Sequence, residues 1–209
     1  TCFNVIGGQL RPDAGRVMLE GQDVTGKPAR QLWRLGVGRS FQITQAFASM
    51  TVRENVQVAL HARAGRLWRV AGRMGASFRD EADAILERVG ICEQAERPCA
   101  VLAYGDLKRI ELAIALAGSP KLLLMDEPTA GMAPKERLEL MSLAASLAKR
   151  DRIAILFTEH DMDVVFAHAD RIVVLDRGAV LAAGEPEAIR TNDAVRAVYL
   201  GSGLATGTP

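Results

Sequence analysis

Apolar positions along this chain keep two rhythms. In some stretches they recur every three or four residues, as on one face of a helix; in others they run consecutively for four or five, as in a strand covered on both faces. The first rhythm predicts helices over Ala29 to Leu35, Thr51 to about Leu60, Asp80 to Val89, Leu107 to Ala117, Pro134 to Arg150 and about Asp193 to Leu200. Within Pro134 to Arg150 the inward stripe is expected at Leu138, Met141, Ala145 and Ala148. The second rhythm predicts strands over Arg16 to Glu20, Val37 to Phe41, Leu122 to Asp126 and Ile153 to Phe157, the last two buried on both faces. Ile172 to Leu175 and Val180 to Ala183 read as a hairpin about Asp176-Arg177-Gly178. Punctuation agrees: Pro12 to Gly15 and Gly21 to Asp23 mark turns, Gly36 and Gly90 stop helices, and Gly118-Ser119-Pro120 ends another. Thr51 with Glu54 three residues on forms a capping box. Helices alternating with buried strands predict an α/β fold around a mostly parallel sheet.

Thr1 to Ile6 has helical spacing but nothing ahead of it to start a helix, and Gly7-Gly8 stops it. The chain is therefore expected to have lost its front.

A length of 209 residues suits one domain, or one with a small subdomain. The formal net charge of +1 gives no bulk attraction to nucleic acid or to an anionic membrane. No apolar run approaches the ~20 residues that span a bilayer, and no secretory signal opens the chain. Cys2, Cys92 and Cys99 are odd in number and lack metal-type spacing beyond one loose pair, which suits reduced thiols with packing roles. The histidines form no ligand cluster, and His61 and His168 are assigned to surface or local packing. Between His61 and Arg79, five arginines (Arg63, Arg66, Arg69, Arg73 and Arg79) interleave with Leu67, Trp68, Val70 and Met74. Such a stretch either touches a membrane or partner, or is a solvated excursion whose arginines face water. The Gly/Thr-rich tail after Leu200 is expected to be disordered.

The chemistry concentrates where Lys121-Leu-Leu-Leu-Met-Asp126-Glu127-Pro128-Thr129 ends its apolar run in two carboxylates. Ligands of open α/β sheets sit beyond the carboxyl ends of the strands, and Asp126 and Glu127 fall there. An Asp in that place can hold Mg²⁺ through its water shell, and a Glu beside it can polarise an attacking water. The competing reading is a plain acidic turn. Gln42 follows a predicted strand and could reach a metal or water through its amide oxygen, or simply be a solvated loop residue. Leu102-Ala103-Tyr104-Gly105-Asp106 precedes a strong helix whose free amides favour an anion, a weak pattern alone. His160 follows a buried strand, where a donor to phosphate would be useful.

Together these residues resemble the ATP-binding subunit of an ABC transporter, in the family order and over nearly all of the chain. Leu122 to Asp126 with Glu127 looks like the Walker B segment and catalytic glutamate, and Gln42 like the Q-loop glutamine. Leu102 to Asp106 looks like the signature motif, Ala130 to Pro134 like the D-loop and His160 like the switch histidine. Thr1 looks like the second threonine closing Walker A. Arg39-Ser-Phe-Gln42, Leu102-Ala-Tyr-Gly-Asp106, Glu159-His-Asp-Met162 and Tyr199-Leu-Gly201 are similar to branched-chain amino-acid uptake systems.

The resemblance implies a P-loop NTPase-like core, with a helical subdomain inserted at roughly residues 43–118. It implies ATP and Mg²⁺ as cofactors, with Asp126 and Gln42 at the metal, Glu127, His160 and Gln42 catalytic, and Thr1, Leu102, Ala103, Tyr104, Gly105, Asp106 and His160 against nucleotide. Partners would be a second ATP-binding subunit, identical or not, and transmembrane permease subunits. An external solute-binding protein would join indirectly, and nucleic acid would not. The location would be peripheral, on the cytoplasmic face of the inner membrane.

The departures are equally definite. The Walker A glycines and lysine are absent, so residues 1–209 alone are expected to be inactive. Ala103, Tyr104 and Asp106 replace the signature's usual Ser, Gly and Gln, and Ala133 stands where the D-loop often has an acid or amide. Two rival readings remain: a soluble ABC ATPase outside transport, and a truncated, non-catalytic docking module.

Overall fold

Thr1 leads into a short helix, α1 (Cys2–Ile6), which ends at Gly7-Gly8 as its sequence requires. Gly8 has φ +72°, and a β-carbon there would lie 2.4 Å from the Lys27 carbonyl oxygen, so only glycine fits. The computed structural model describes residues 1–40, 46–65 and 77–200, in two units that divide between Glu159 and His160.

In the first unit, β1 (Met18–Leu19) and β2 (Gln22–Asp23) form a small antiparallel ribbon. Glu20 and Gly21 both take positive φ between them, which shortens the expected Arg16 to Glu20 strand. Helix α2 (Ala29–Arg34) runs to Leu35 and Gly36, and β3 (Val37–Ser40) follows. Phe41, expected to end that strand, and Gln42 lie outside the described residues. Helix α3 (Val52–Arg63) carries the expected capping box: Thr51 Oγ1 accepts from the Glu54 N–H at 3.2 Å, and Glu54 Oε2 accepts from the Thr51 N–H at 2.8 Å. Thr51→Ala removes half of this exchange and is expected to cost about 1 kcal/mol in a denaturant titration.

Helix α4 (Arg79–Arg88) is stopped by Gly90 at φ +75°. Helix α5 (Tyr104–Ala117) begins three residues before the expected Leu107, so Gly105 and Asp106 sit in its first turn. Strand β4 (Leu122–Asp126), helix α6 (Pro134–Asp151) and strand β5 (Ala154–Thr158) complete the unit. The sheet order is β3-β4-β5, all parallel, with Arg39 opposite Leu124 and Asp126 opposite Thr158.

Strand β4 is buried on both faces, as its apolar run predicts. Leu123 and Met125 join Val52, Val56, Leu86 and Ile110 in one core, while Leu124 points the other way to Phe3, Val24, Leu32 and Val37. Strand β5 departs from expectation. Ile155 and Phe157 pack on the larger core, but Ala154 is exposed and Leu156 is 39% exposed, so one face only is covered. The stripe of α6 is also rotated from the expected one. Leu140, Met141, Ala144 and Leu147 are buried, Ala145 and Ala148 only partly, and Leu138 is 45% exposed. Both stripes have helical period; the observed one turns Ala144 and Leu147 into the larger core, where α6 meets α5 and β5.

Arg63 donates to the Ala117 carbonyl at 3.0 Å and Ser119 Oγ at 3.1 Å, and Arg79 pairs with Glu96. These two arginines therefore tie elements together rather than merely face water; residues 66–76 lie outside the described ones. His61 is buried, edge-on to Phe78 at 4.9 Å. The cysteines carry free thiols, Cys99 buried so that its pKa is pushed up.

The second unit begins with α7 (Met162–His168), capped by Asp161 Oδ1 accepting from the Asp163 and Val164 N–H groups. Strands β6 (Ile172–Asp176) and β7 (Ala179–Gly184) form the expected hairpin, turning at Arg177 and Gly178 with φ of +47° and +85°. Helices α8 (Pro186–Arg190) and α9 (Asp193–Leu200) follow, with Val174, Ile189 and Val195 as the unit's buried cluster. Residues 201–209, expected as a disordered tail, lie outside the described residues. Among the described residues no helix is long and apolar enough to cross a membrane.

Candidate functional site

The carboxyl end of β4 is built by its neighbours on both sides. Asp126 has the same side-chain parity as Leu124, and its carboxylate emerges where the apolar run stops, half-buried. Thr158 Oγ1, opposite it on β5, donates to Asp126 Oδ1 at 2.8 Å. From β3, Arg39 Nη2 stands 3.5 Å from Asp126 Oδ2. The same guanidinium reaches back to α1 and beyond: Nη2 donates to Asn4 Oδ1 and Nη1 to Gln9 Oε1, both at 2.9 Å. Asp126 is thus held through one oxygen by a neutral hydroxyl and approached at the other by a positive charge.

Glu127 leaves the strand with φ +48°. Pro128 after it disfavours the right-handed helical region, and the left-handed conformation costs a non-glycine residue on the order of 1 kcal/mol or more. Local bonds hold it there. The Glu127 N–H donates to the Thr158 carbonyl at 3.1 Å and to Thr158 Oγ1 at 3.2 Å, and its own carbonyl accepts from the Ala130 N–H. Thr129, 1% exposed, donates its N–H and its hydroxyl to Glu159 Oε1, at 2.9 and 2.6 Å. The turn therefore carries carboxyl groups on two successive residues, Asp126 and Glu127, of a backbone tied down on both sides.

The Leu102 to Asp106 segment is anchored nearby. Tyr104 donates its hydroxyl to the Ala130 carbonyl at 3.0 Å, and its ring lies against Gly131, whose φ is +77°. Beneath the ring, Lys108 Nζ stands 5.4 Å from the centroid and 3.2 Å from Glu111 Oε2, a pair almost wholly buried. Ala103 is the N-cap of α5 and offers no side-chain acceptor, so the first amides of the helix keep their partial positive charge. Between the starts of α5 and α6 lies a cleft of about 180 Å³, lined by Ala103, Gly105, Asp106, Met132, Glu136 and Leu140. Ala133 cannot cap α6 with its methyl; Glu136 Oε2 accepts from its N–H at 3.4 Å.

The structure thus brings Asp126, Glu127 and the Ala130–Gly131 turn together, with Tyr104 bonded to the last. Thr1 is the exposed N-cap of α1, and its side chain makes no capping bond. His160 belongs to the second unit, just ahead of the Asp161 cap. Among the described residues no three His, Cys, Asp or Glu side chains gather to hold a metal by themselves. A single half-exposed carboxylate with a second beside it suits instead an ion that arrives with phosphates and keeps its waters. Three residues at the site carry no role in the sequence patterns: Arg39 and Glu159, which enter there only within the resemblance to amino-acid uptake systems, and Thr158. The one hint in the sequence is that a hydroxyl and a carboxylate, Thr158 and Glu159, close the apolar run of β5 much as Asp126 and Glu127 close that of β4.

Comparison with known proteins agrees on one family. The ABC transporter family model matches residues 1–130, and that of the branched-chain amino acid ATP-binding cassette transporter matches 179–205. The high-affinity branched-chain amino acid transport ATP-binding protein LivG of Escherichia coli is 41% identical over 208 residues, spanning 96% of this chain and 82% of LivG. The corresponding protein BraF of Pseudomonas aeruginosa is 39% identical, with the same 96% and 82% coverage. Among solved structures, the ADP conformation of MJ1267, an ATP-binding cassette of an ABC transporter, superposes with a TM-score of 0.82 at 29% identity, over 96% of this chain and 82% of that one.

Proposed function

This chain belongs to the ABC transporter family of ATP-binding proteins, and from that premise we propose that it is the ATP-hydrolysing subunit of an importer for branched-chain or other hydrophobic amino acids. Members of this family hydrolyse ATP. One observation carries the reading to these residues: the parallel strand β4 ends in Asp126 and Glu127, with Thr158 and Arg39 fixing the first.

Bound with the nucleotide, Mg²⁺ would neutralise charge on the β- and γ-phosphates. Asp126 holds its water shell, joined by Gln42. The Glu127 carboxylate orients an attacking water and accepts its proton. His160 donates to the γ-phosphate. The uncapped start of α5 with Leu102 to Asp106 faces the nucleotide of a second ATP-binding subunit, and Thr1 closes this subunit's own phosphate site. Phosphoryl transfer depends mainly on position and charge, so a small misplacement in this set costs orders of magnitude. Helices α3, α4 and α5, in the proposed subdomain at about 43–118, carry dimer closure to transmembrane permease subunits at the cytoplasmic face of the membrane. The solute itself touches those subunits and an external binding protein.

Mg-ATP turnover by the full gene product, with co-purification of its permease subunits, tests the assignment. Turnover with co-purification is expected; turnover without any membrane partner would favour a soluble ATPase, and a folded protein that never binds nucleotide would overturn the ATPase reading. A polypeptide of residues 1–209 alone holds no Gly-rich loop with a phosphate-binding Lys. It is expected to bind ATP at least tenfold more weakly than the full gene product, by fluorescence titration with a labelled nucleotide. Equal affinity would refute that expectation.

A further inference from the structure

We infer that Thr158 and Glu159, the residues ending β5 and leading from it, are positioning residues that set Asp126 and Glu127 in their reactive geometry. The inference rests on the proposed roles of those two carboxylates.

A hydroxyl has one proton to give and lone pairs to receive, and Thr158 uses both sides. Its Oγ1 donates to Asp126 Oδ1 at 2.8 Å and accepts from the Glu127 N–H at 3.2 Å. A single atom therefore joins the carboxylate of one residue to the backbone of the next. The Thr158 carbonyl takes the same N–H at 3.1 Å, so the left-handed φ of Glu127 is held by two acceptors from one residue. Glu159 closes the other end of the turn. Its Oε1 accepts both the N–H and the hydroxyl of Thr129, and Thr129 is buried. Bonds to a charged acceptor are about twice as strong as neutral ones.

Between these anchors lie Glu127 and Pro128 alone. Pro128 has no N–H, and its ring restricts the residue before it. The Glu127 backbone is therefore held from both sides, by Thr158 at its own N–H and by Glu159 at Thr129. His160 follows Glu159 directly in the chain, so the segment that presents the proposed phosphate donor also carries the clamp on the proposed base.

The test compares Thr158→Val with Thr158→Ser in the full gene product, with Glu127→Gln measured in parallel. Valine keeps the shape and loses both roles of the hydroxyl; serine keeps both. Thr158→Val is expected to lower kcat by about 10- to 100-fold, with the KM for Mg-ATP changed less than about threefold, and Thr158→Ser to restore most of the rate. Without nucleotide, hydrogen exchange at the Glu127 amide should quicken in Thr158→Val and stay slow in Thr158→Ser. Thr129→Val and Glu159→Gln should each slow turnover, and the pair together should be no slower than the slower single variant. Should Thr158→Val prove unstable, this second cycle decides.

Unchanged kcat in Thr158→Val, or a serine variant as slow as valine, overturns the inference while a dead Glu127→Gln leaves the ATPase assignment standing. A KM that rises as far as kcat falls overturns it as well, since the residues would then serve binding. Normal turnover by Glu127→Gln would bring down the underlying assignment itself.

Discussion

Glu127→Gln in the full gene product is expected to lower ATP turnover by about 10²- to 10⁴-fold, the range for loss of a general base, while nucleotide binding persists. The substitution is nearly isosteric and removes only the charge and the basic oxygen. The bonds to Thr158 come from the Glu127 backbone N–H, and its carbonyl receives the Ala130 N–H, so these backbone bonds of the turn survive the exchange. An intact turn without a base should hold ATP unhydrolysed. Single-turnover hydrolysis and labelled-nucleotide binding, measured side by side, check both halves. Normal hydrolysis would remove Glu127 from the chemistry; lost binding would make it a structural residue.

The largest expected effect on stability is that of Leu124→Ala. Leu124 is fully buried, in the middle strand of the described sheet, and packs with Phe3, Val24, Leu32 and Val37. Removing its isobutyl group loses the transfer energy and leaves a cavity between a sheet and the elements over it, at a cost of about 2–5 kcal/mol. For a domain of this size the melting temperature should fall by on the order of 10 °C. Leu138→Ala is the control: that side chain is 45% exposed on α6, and a change within about 0.5 kcal/mol is expected. Equal losses at the two positions in a denaturant titration would contradict the packing described for α6 and β4.

That pair of leucines also shows where pattern reading stops. Leu138, Met141, Ala145 and Ala148 satisfy a helical period as well as Leu140, Met141, Ala144 and Leu147 do. Periodicity identifies a helix but leaves its rotation open by one residue when small and apolar side chains lie on both candidate stripes. The core shared with α5 and β5, which takes in Ala144 and Leu147, makes the choice. A similar limit applies to β5. Its composition matches that of β4, but only Ile155 and Phe157 meet the larger core, so Leu156 stays partly exposed.

The local signals held wherever backbone chemistry alone decides. Thr51 and Glu54 cap α3, the Gly7-Gly8 pair ends α1, Gly90 ends α4, and Arg177-Gly178 turns the β6–β7 hairpin. Each needs a specific hydrogen-bonding side chain or a positive φ, and such demands are written within a few residues. Helix α5 starts three residues ahead of Leu107, a start without a sequence mark because Ala103 and Tyr104 carry no capping group.

The sequence by itself determined the α/β alternation, the family, and the carboxylates at the end of a buried strand. Those are properties of contiguous residues: an apolar run, its abrupt end, a motif in order. Tertiary structure alone decided that Arg39 from β3 and Thr158 from β5 meet at Asp126, and that Glu159 takes both donors of Thr129. These partners lie about 30 to 90 residues apart along the chain. Parallel pairing brings distant strand ends level only after the intervening helices have packed, and no local pattern encodes that register.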